Sequence, residues 1–212
     1  MIHWDDEPLV WNDPQGLVAV GGDLEPESLL GAYRRGLFPW YNEGDPILWW
    51  SPDPRTIFEL DKFRISRRLA RVVRQKKFRI TVNQAFTQVM RACALRIEGT
   101  WITDDMLQAY CELQRLGHAH SIEAWNEDEL VGGIYGVAIG GFFAAESMFH
   151  FESYAGMVTL VHLVERLKSR GFVLLDTQMP TEHTRSIGAI DIPRDAYLRR
   201  LKKALQVKAS FC

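Results

Sequence analysis

Residues 118–149, HAHSIEAWNEDELVGGIYGVAIGGFFAAESMF, decide the fold of this 212-residue chain. Apolar runs of four to eight residues between turn clusters are typical of β-strands. The stretch therefore predicts three short strands, at 118–125, 130–138 and 142–149. The polar residues 126–129 form the first turn between them, and Gly140-Gly141 forms the second.

One acidic residue lies inside the third predicted strand. Glu146 stands between Ala145 and Ser147, and apolar residues flank this group on both sides. Burial of an unpaired carboxylate costs several kcal/mol or more, so such a residue is normally paired, exposed to a cleft or functional. Glu146 is therefore the first candidate for a functional site.

Length and composition restrict the class of protein. The chain has 47% apolar and 25% charged residues and a net charge of −2, which is typical of a soluble protein with one domain, or one domain and a small partner domain. No apolar run approaches the ~18 residues of a membrane span, and the acidic N-terminus does not resemble a secretory signal. Three cysteines without a Cys-x-x-Cys pair predict reduced thiols and a cytoplasmic protein that contacts no membrane.

The positive charge is concentrated in one segment. Residues 61–96 hold 11 Lys and Arg and a single acid. Within it, residues 63–77 place apolar side chains at helical spacing, which predicts an amphipathic helix with a basic outer face. That face favours a polyanion such as RNA, and the alternative is a solvated face opposite acidic neighbours. The basic residues concerned are Arg64, Arg67, Arg68, Arg71, Arg74, Lys76 and Lys77.

The remaining pattern predicts helices packed on a central sheet, an α+β or mixed α/β fold. Three prolines in 46–55 predict an irregular loop without any regular element, with Trp49 and Trp50 as its aromatic face or as a plug between subdomains. Capping and periodicity indicate the other elements. They are a helix that contains Pro26 and stops at Gly36, helices at 85–97, 104–117, 154–170 and 195–205, and strands at 78–82 and 172–175.

Two polar residues follow the apolar strand 172–175. The period of a strand predicts that Asp176 and Gln178 share one face, at the carboxyl end where open α/β sheets bind ligands. The alternative is a helix cap or turn for Asp176 and a loop amide for Gln178. His118 and His120 would also share a face, but two histidines do not complete a zinc site, so we predict no metal and no cofactor. The sequence contains no phosphate-binding loop, dinucleotide fingerprint or Gly-x-Ser-x-Gly element.

A series of unusual motifs resembles one enzyme family along nearly the whole chain, from about residue 16 to 201. The family is that of the leucyl/phenylalanyl-tRNA–protein transferases. The motifs are, in order, GGDL, YRRGLFPWY, GDPILWWSPDPR, GTWIT, LGHAHSIEAW, ELVGGIYGVA, ESMF, LDTQ, EHTRSIGA and IPRDAYL.

The resemblance implies a function and a fold. It implies a bacterial cytosolic enzyme that moves Leu or Phe, and less readily Met, from aminoacyl-tRNA to the α-amine of proteins that begin with Arg or Lys, which marks them for degradation. It also implies a small N-terminal domain, 1–62, before a catalytic domain similar to the N-acetyltransferases, 63–212. We expect a monomer.

The resemblance also assigns site residues, position by position. Asp176 and Gln178 match the family's proposed catalytic pair, and Glu146 matches its acid in ESMF. Trp40 and Trp101 match aromatic residues that hold the 3′-terminal adenosine, and the basic helix lies where the family contacts the acceptor stem. We further assign Ser147, which follows Glu146, and Ile134 to the aminoacyl site, with Phe142 and Phe143 as additional candidate walls. For Ile134 and both phenylalanines, the alternative is a simple core role.

The chain departs from the usual family pattern at Ala145, at His150 and at 155–157, beside the expected aminoacyl pocket. Because the ester substrate is already activated, positioning outweighs base catalysis. We therefore hypothesise that Asp176 orients the acceptor amine and that Glu146 holds the ribose or the acceptor's cationic end. Two other classes compete: an acyl-CoA N-acetyltransferase, whose pyrophosphate-binding turn is absent from 152–157, and a non-catalytic RNA- or peptide-binding module.

Overall fold

The computed structural model describes Trp4, Trp11, residues 13–95 and residues 100–212. Ten strands, seven α-helices and one short 3-10 helix, Leu60–Lys62, lie in this part of the chain. The strands are β1 Leu17–Val20, β2 Phe38–Pro39, β3 Leu48–Trp50, β4 Arg55–Phe58, β5 Arg79–Val82, β6 Ala119–Asn126, β7 Glu129–Ile139, β8 Phe142–His150, β9 Leu174–Asp176 and β10 Ile190–Ile192. The helices are α1 Pro26–Arg34, α2 Arg67–Arg74, α3 Phe86–Ala94, α4 Asp104–Arg115, α5 Ala155–Ser169, α6 Glu182–Ser186 and α7 Arg194–Ala204.

A seven-stranded sheet forms the centre of the molecule. Its strand order is β10-β4-β9-β8-β7-β6-β5, and only the β8–β9 pair is parallel. The three predicted strands at 118–149 are confirmed as β6, β7 and β8, since their short polar and glycine turns leave only antiparallel neighbours within reach. The mixed α/β fold with a central sheet is likewise confirmed.

Alternate side chains of the central strands enter different cores. Tyr135 and Val137 of β7 belong to the cluster that α3 and α4 cover, whereas Ile134 belongs to the cluster beneath α5. The same alternation separates Phe142 from Phe143 on β8. Because successive residues of a strand point to opposite faces, helices cover this sheet on both sides.

A second sheet of three strands, in the order β1-β3-β2, lies in the N-terminal part. The prediction that residues 46–55 hold no regular element is wrong, because β3 pairs with both neighbours there and β4 begins at Arg55. The prolines fall outside the three paired residues of β3, so they remove none of its hydrogen bonds. Trp49 is fully buried and contacts Trp4 edge to face.

Most helix boundaries agree with the sequence pattern. Thr103 caps α4 by accepting a hydrogen bond from the Met106 amide, and Gly36 ends the first helix with a φ of 78°. The predicted end of the third helix at residue 97 lies outside the described residues. Helix α2 is shorter than the predicted 63–77 and begins after Ser66, which caps it through the Leu69 amide.

The seven-stranded sheet includes a strand from each side of the predicted domain boundary. Strand β4 precedes the boundary at 62/63, yet it pairs with β9 and β10 inside the seven-stranded sheet. We keep the division into 1–62 and 63–212 as a proposal. Within the described residues, no helix combines the length and the apolar character that crossing a membrane requires.

Candidate active site

A cavity of about 360 Å³ opens beside the end of β9. Its walls combine residues of two core clusters, with polar groups between them. The lining residues are Phe38, Pro39, Trp40, Phe58, Trp101, Ile134, Ala145, Glu146, Ser147, Met148, Leu160, Thr177, Gln178, Met179, Thr181, Thr184 and Ile187. Such a largely apolar pocket with a few convergent polar groups is the usual form of a small-ligand site.

The polar wall begins where two parallel strands stop pairing. The last paired residues of β8 and β9 are Ala144 and Asp176. Beyond them, Gln178 adopts a left-handed backbone conformation with a φ of 57°. Its side-chain Nε2 donates a hydrogen bond of 2.9 Å to Oε1 of Glu146. The two sequence-predicted residues therefore meet across the gap between the strands.

A β-bulge directs Glu146 toward this gap. Tyr135 pairs with Ser147, whereas the next residue, Gly136, pairs with Ala145, so Glu146 is the extra residue of β8. A Cβ atom at Gly136 would lie 2.0 Å from the carbonyl oxygen of Ala144, which only glycine avoids. Bulges of this kind turn a side chain away from the regular alternation of a strand.

The environment of Glu146 favours its protonated form. Burial raises the pKa of this carboxyl from 4.5 to about 8, and the charge of Asp176 adds to the effect. Hydrogen bonds from Tyr33 and Gln178 and the charge of Arg55 act in the opposite direction but do not outweigh burial. Glu146 thus has a pKa near neutrality and lines the cavity, which is the combination that acid–base chemistry requires.

Two buried phenols stand behind Glu146. Tyr33 of α1 and Tyr110 of α4 share a hydrogen bond between their hydroxyl groups. Burial, together with the nearby Glu146, raises the pKa of both tyrosines well above the ordinary value. Both are therefore neutral, so one hydroxyl group donates to the other and the second remains able to donate to Glu146.

Asp176 has a different environment. It is fully buried, and its carboxylate accepts four hydrogen bonds. Arg55 donates two of them, from Nε at 2.9 Å and from Nη2 at 2.6 Å, while the Tyr197 hydroxyl and the Gln178 amide each donate one at 2.9 Å. Asp176 is not among the residues that line the cavity. The structure thus separates it from Glu146 and Gln178, which do line it.

The other assigned substrate residues lie at the cavity. Trp40, Trp101, Ile134 and Ser147 all line it, and Trp40 is 41% exposed. Phe142 and Phe143 do not line it and are almost completely buried, so the alternative interpretation of these two as core residues holds.

The seven assigned basic residues are all exposed, and we call them together the basic face. Arg68 lies over the ring of Tyr154, and Lys77 pairs with Glu152 at 2.8 Å. Within the part of the chain that the structure describes, Arg67, Arg71 and Arg74 have no carboxylate at salt-bridge distance. The alternative of a helix face opposite acidic neighbours from the N-terminal third is therefore not observed in these residues.

His120 has an ordinary structural role. His120 is buried, stacks on Phe211 at 4.4 Å and contacts the Asn83 amide at 3.0 Å. Burial lowers its pKa to about 4. Among the described residues, no group of three or more His, Cys, Asp or Glu side chains is arranged to hold a metal ion.

The sequence pattern did not indicate Arg55, Tyr197 or the pairing of Tyr33 with Tyr110 as parts of the site. Arg55 opens the apolar run RTIF, and a charged residue at the start of a buried strand is a signal of the same kind as Glu146. The tyrosines carry no such signal, because a buried tyrosine is as common in cores as in sites.

Comparison with known proteins gives matches along most of the chain. The model of the family "Leucyl/phenylalanyl-tRNA protein transferase" matches residues 57–202, and that of its N-terminal domain matches residues 22–53. A leucyl/phenylalanyl-tRNA–protein transferase of Pseudoalteromonas atlantica is 47% identical over 97% of this chain and 89% of its own length. Another from Pseudomonas syringae pv. syringae is 51% identical, with 91% and 86% covered.

The matches among solved structures are more distant. A GCN5-related glucosamine N-acetyltransferase region of a fungal multi-domain β-N-acetylglucosaminidase has a TM-score of 0.48 and 12% identity, over 82% of this chain and 23% of that one. The structure of L-PGS from Bacillus licheniformis has a TM-score of 0.43 and 17% identity, over 74% and 51%. The sequence matches are decisive: the chain belongs to the leucyl/phenylalanyl-tRNA protein transferase family and is an aminoacyltransferase.

Proposed function

We propose that this enzyme transfers Leu or Phe, and less readily Met, from aminoacyl-tRNA to the N-terminal α-amine of proteins that begin with Arg or Lys. The product carries a new N-terminal residue that marks it for degradation. We also propose that the enzyme acts as a cytoplasmic monomer. In support of the cytoplasm, Cys111 and Cys212 form no disulfide bond, as is usual in a reducing compartment.

The observation that carries the proposal is the Glu146–Gln178 hydrogen bond at the wall of a mainly apolar cavity. In our proposal, the aminoacyl side chain occupies the apolar region, where Phe58, Ile134 and Leu160 line the cavity. Trp40 and Trp101 stack on the terminal adenosine, since an aromatic ring binds a base with about 1–3 kcal/mol of stacking free energy. The ester carbonyl then lies beside Glu146 and Gln178.

The reaction forms one bond and breaks one. The amine nitrogen of the acceptor attacks the ester carbonyl, and the bond from the carbonyl carbon to the ribose oxygen breaks. The proton lost by the amine goes to the ribose oxygen, which leaves as the free hydroxyl of the deacylated tRNA. Alignment of amine and carbonyl supplies up to about 7–11 kcal/mol of the barrier reduction.

Glu146 is the group that we assign to the proton. A carboxylate with an ordinary pKa near 4 is a poor base for an amine whose own pKa is about 8. The raised pKa of Glu146, about 8, matches that of the amine. We therefore assign Glu146 to accept the proton and to pass it on, and Gln178 to orient Glu146 and the reacting groups. Asp176, which lies behind the wall, serves as a positioning residue in this scheme.

Shape and charge account for the two substrates. An apolar cavity distinguishes one methylene group by about 1–3 kcal/mol, which permits Leu, Phe and Met together. We propose that a β-branched side chain fits such a wall poorly. The basic face supports binding of the acceptor stem, because exposed arginines without carboxylate partners are free to contact phosphates.

Transfer of label tests the proposal. The enzyme is mixed with Leu-tRNA carrying labelled Leu and with a peptide that begins with Arg, and label is sought in the peptide. A matched peptide with an acetylated N-terminus has no amine and serves as the control. We expect label only in the free-amine peptide, with Phe-tRNA and Met-tRNA competing and Ile-tRNA competing poorly. Absence of label from the free-amine peptide contradicts the proposed reaction.

A further inference from the structure

Arg55 is a fully buried charged residue that has no part in the scheme above. It is the first residue of β4, which lies between β9 and β10 in the central sheet. Its guanidinium makes a fork with both carboxylate oxygens of Asp176, at 2.9 and 2.6 Å. A planar fork of this kind fixes direction as well as distance, which a lysine cannot do.

Other contacts hold the guanidinium itself in place. Nη1 donates to the carbonyl oxygen of Gly36 at 3.0 Å, and Nη2 donates to the Tyr197 hydroxyl at 3.3 Å. The ring of Tyr197 lies 4.4 Å from the guanidinium carbon, and that of Phe38 lies 4.9 Å from it. Arg55 is therefore a rigid reference point for the carboxylate that it binds.

The Asp176 carboxylate in turn fixes the position of the Gln178 backbone. Oδ1 of Asp176 accepts a hydrogen bond from Nε of Arg55 and a second one from the backbone amide of Gln178 at 2.9 Å. The carbonyl oxygen of Gln178 accepts from the amide of Thr56, the neighbour of Arg55, at 3.1 Å. The backbone N–H of Gln178 is thus bonded to Asp176, the ion-pair partner of Arg55, and its carbonyl oxygen is bonded to β4.

These hydrogen bonds hold Gln178 in an unfavourable backbone conformation. Gln178 has a φ of 57°, which a residue with a side chain adopts only where its surroundings require it. In this conformation its carboxamide reaches Glu146 at the cavity wall. A chain of contacts therefore leads from Arg55 through Asp176 and Gln178 to Glu146.

We propose that Arg55 is a positioning residue for aminoacyl transfer, which acts through the Asp176 carboxylate to hold the Gln178 carboxamide against Glu146. This role rests on the proposed function, because it assumes that Glu146 and Gln178 meet the substrates. The fork of the guanidinium, rather than its charge, performs the task. The informative substitution is therefore Arg55→Lys, which removes the fork but keeps the positive charge.

The first experiment compares Arg55→Lys with the native enzyme. We expect kcat for transfer of Leu to the Arg-initiated peptide to fall by between about 10-fold and about 100-fold, since a small misplacement of a catalytic group has effects of this size. KM for aminoacyl-tRNA stays within about 3-fold, because the basic face and the tryptophans are unchanged. Circular dichroism and a denaturation curve establish the folded fraction for which kcat is corrected.

The pH profile provides a readout that a merely structural role would not move. The charged and titratable groups around Glu146 are Tyr33, Arg55, Tyr110, Asp176 and Tyr197. The lysine of Arg55→Lys keeps the positive charge but releases Gln178, so Glu146 loses one donated hydrogen bond. We expect the pH midpoint of kcat to move upward by roughly 0.7 unit, the equivalent of one such bond.

A double variant tests whether Arg55 acts through Gln178. Gln178→Ala removes the carboxamide, and Arg55→Lys then has nothing left to position. We expect kcat of Arg55→Lys/Gln178→Ala to lie within about 2-fold of Gln178→Ala alone, because changes along one chain of contacts are not additive. Multiplication of the two single effects would overturn the proposal.

Arg194 supplies the matched control. Its guanidinium also ties distant backbone together, from Nη1 to Ser51 O at 2.9 Å and from Nη2 to Trp11 O at 2.6 Å, but it does not contact Asp176. Arg194→Lys should leave kcat and its pH midpoint unchanged. A native rate or an unshifted pH midpoint in folded Arg55→Lys overturns the role of Arg55. Absence of transfer by the native enzyme instead contradicts the proposed function.

Discussion

Two carboxylates of the central sheet, Asp176 and Glu146, have contrasting environments. Asp176, at the end of β9, is fully buried, with four donors and an arginine fork. Glu146, in the bulge of β8, accepts hydrogen bonds from Gln178 and Tyr33, has no salt-bridge partner among the described residues and has a pKa raised to about 8. A buried carboxylate that forms a close ion pair with an arginine serves structure, whereas one without an ion-pair partner can exchange a proton. This difference supports the roles that we propose, positioning for Asp176 and proton transfer for Glu146.

The largest effect is expected for the chemistry of Glu146. Glu146→Gln keeps the shape but removes the proton acceptor, so the single-turnover transfer rate should fall by about 10²- to 10⁴-fold. Rapid quench with labelled Leu-tRNA measures it. Glu123→Gln is the control, since Glu123 is a strand carboxylate that bonds to Thr81 and Ser121 and does not line the cavity. A rate within threefold of the native value in Glu146→Gln would remove Glu146 from the chemistry.

The second effect concerns the stability that Asp176 provides. Asp176→Asn leaves the buried charge of Arg55 without its partner, and we expect the free energy of unfolding to fall by about 3–5 kcal/mol. Urea denaturation measures the change. Asp191→Asn breaks the partly exposed pair with Arg185 and should cost about 1 kcal/mol or less. Equal losses in the two variants would contradict the distinct role of the buried pair.

The third effect is a pH dependence of stability that Glu146 alone should produce. Its pKa is raised from 4.5 to about 8 in the folded state, so the folded state binds the proton more tightly between these values. The contribution of Glu146 to stability is therefore greatest below pH 4.5 and decreases as pH rises to about 8. The stability of Glu146→Gln relative to the native chain should increase by about 1.4 kcal/mol per pH unit over this window.

Denaturation curves of both proteins at pH 5, 6, 7 and 8 test this expectation. Above about pH 8 the difference should become constant, because Glu146 is then ionised in both the folded and the unfolded state. Parallel stability curves across pH 5–8 would mean that burial does not raise this pKa.

The smallest effect separates tRNA binding from chemistry. Arg71→Gln removes one charge of the basic face and should reduce the slope of log affinity against log salt by about 0.7–0.9. Filter binding of tRNA at several salt concentrations measures it, and kcat at saturating tRNA should stay native. Lys203→Gln, on the exposed surface of α7, is the control. An unchanged salt slope would exclude Arg71 from the phosphate contacts.

Local sequence patterns determined much of this protein. The three central strands, the caps of α1 and α4 and the basic face follow from periodicity and from residues a few positions apart. The same holds for the family, because its motifs are continuous strings. The candidate residues Glu146 and Gln178 could be identified too, since a polar residue within or after an apolar strand is visible without coordinates.

Only the tertiary structure decided how the candidate residues divide their roles. Asp176 and Gln178 are two residues apart, yet one pairs with Arg55 across 121 positions while the other reaches Glu146 across 32. These partners depend on the register of β4, β8 and β9 and on the bulge opposite Gly136, which no local pattern encodes. Hydrogen bonding and burial set the protonation of a carboxylate, and both arise only when distant strands meet.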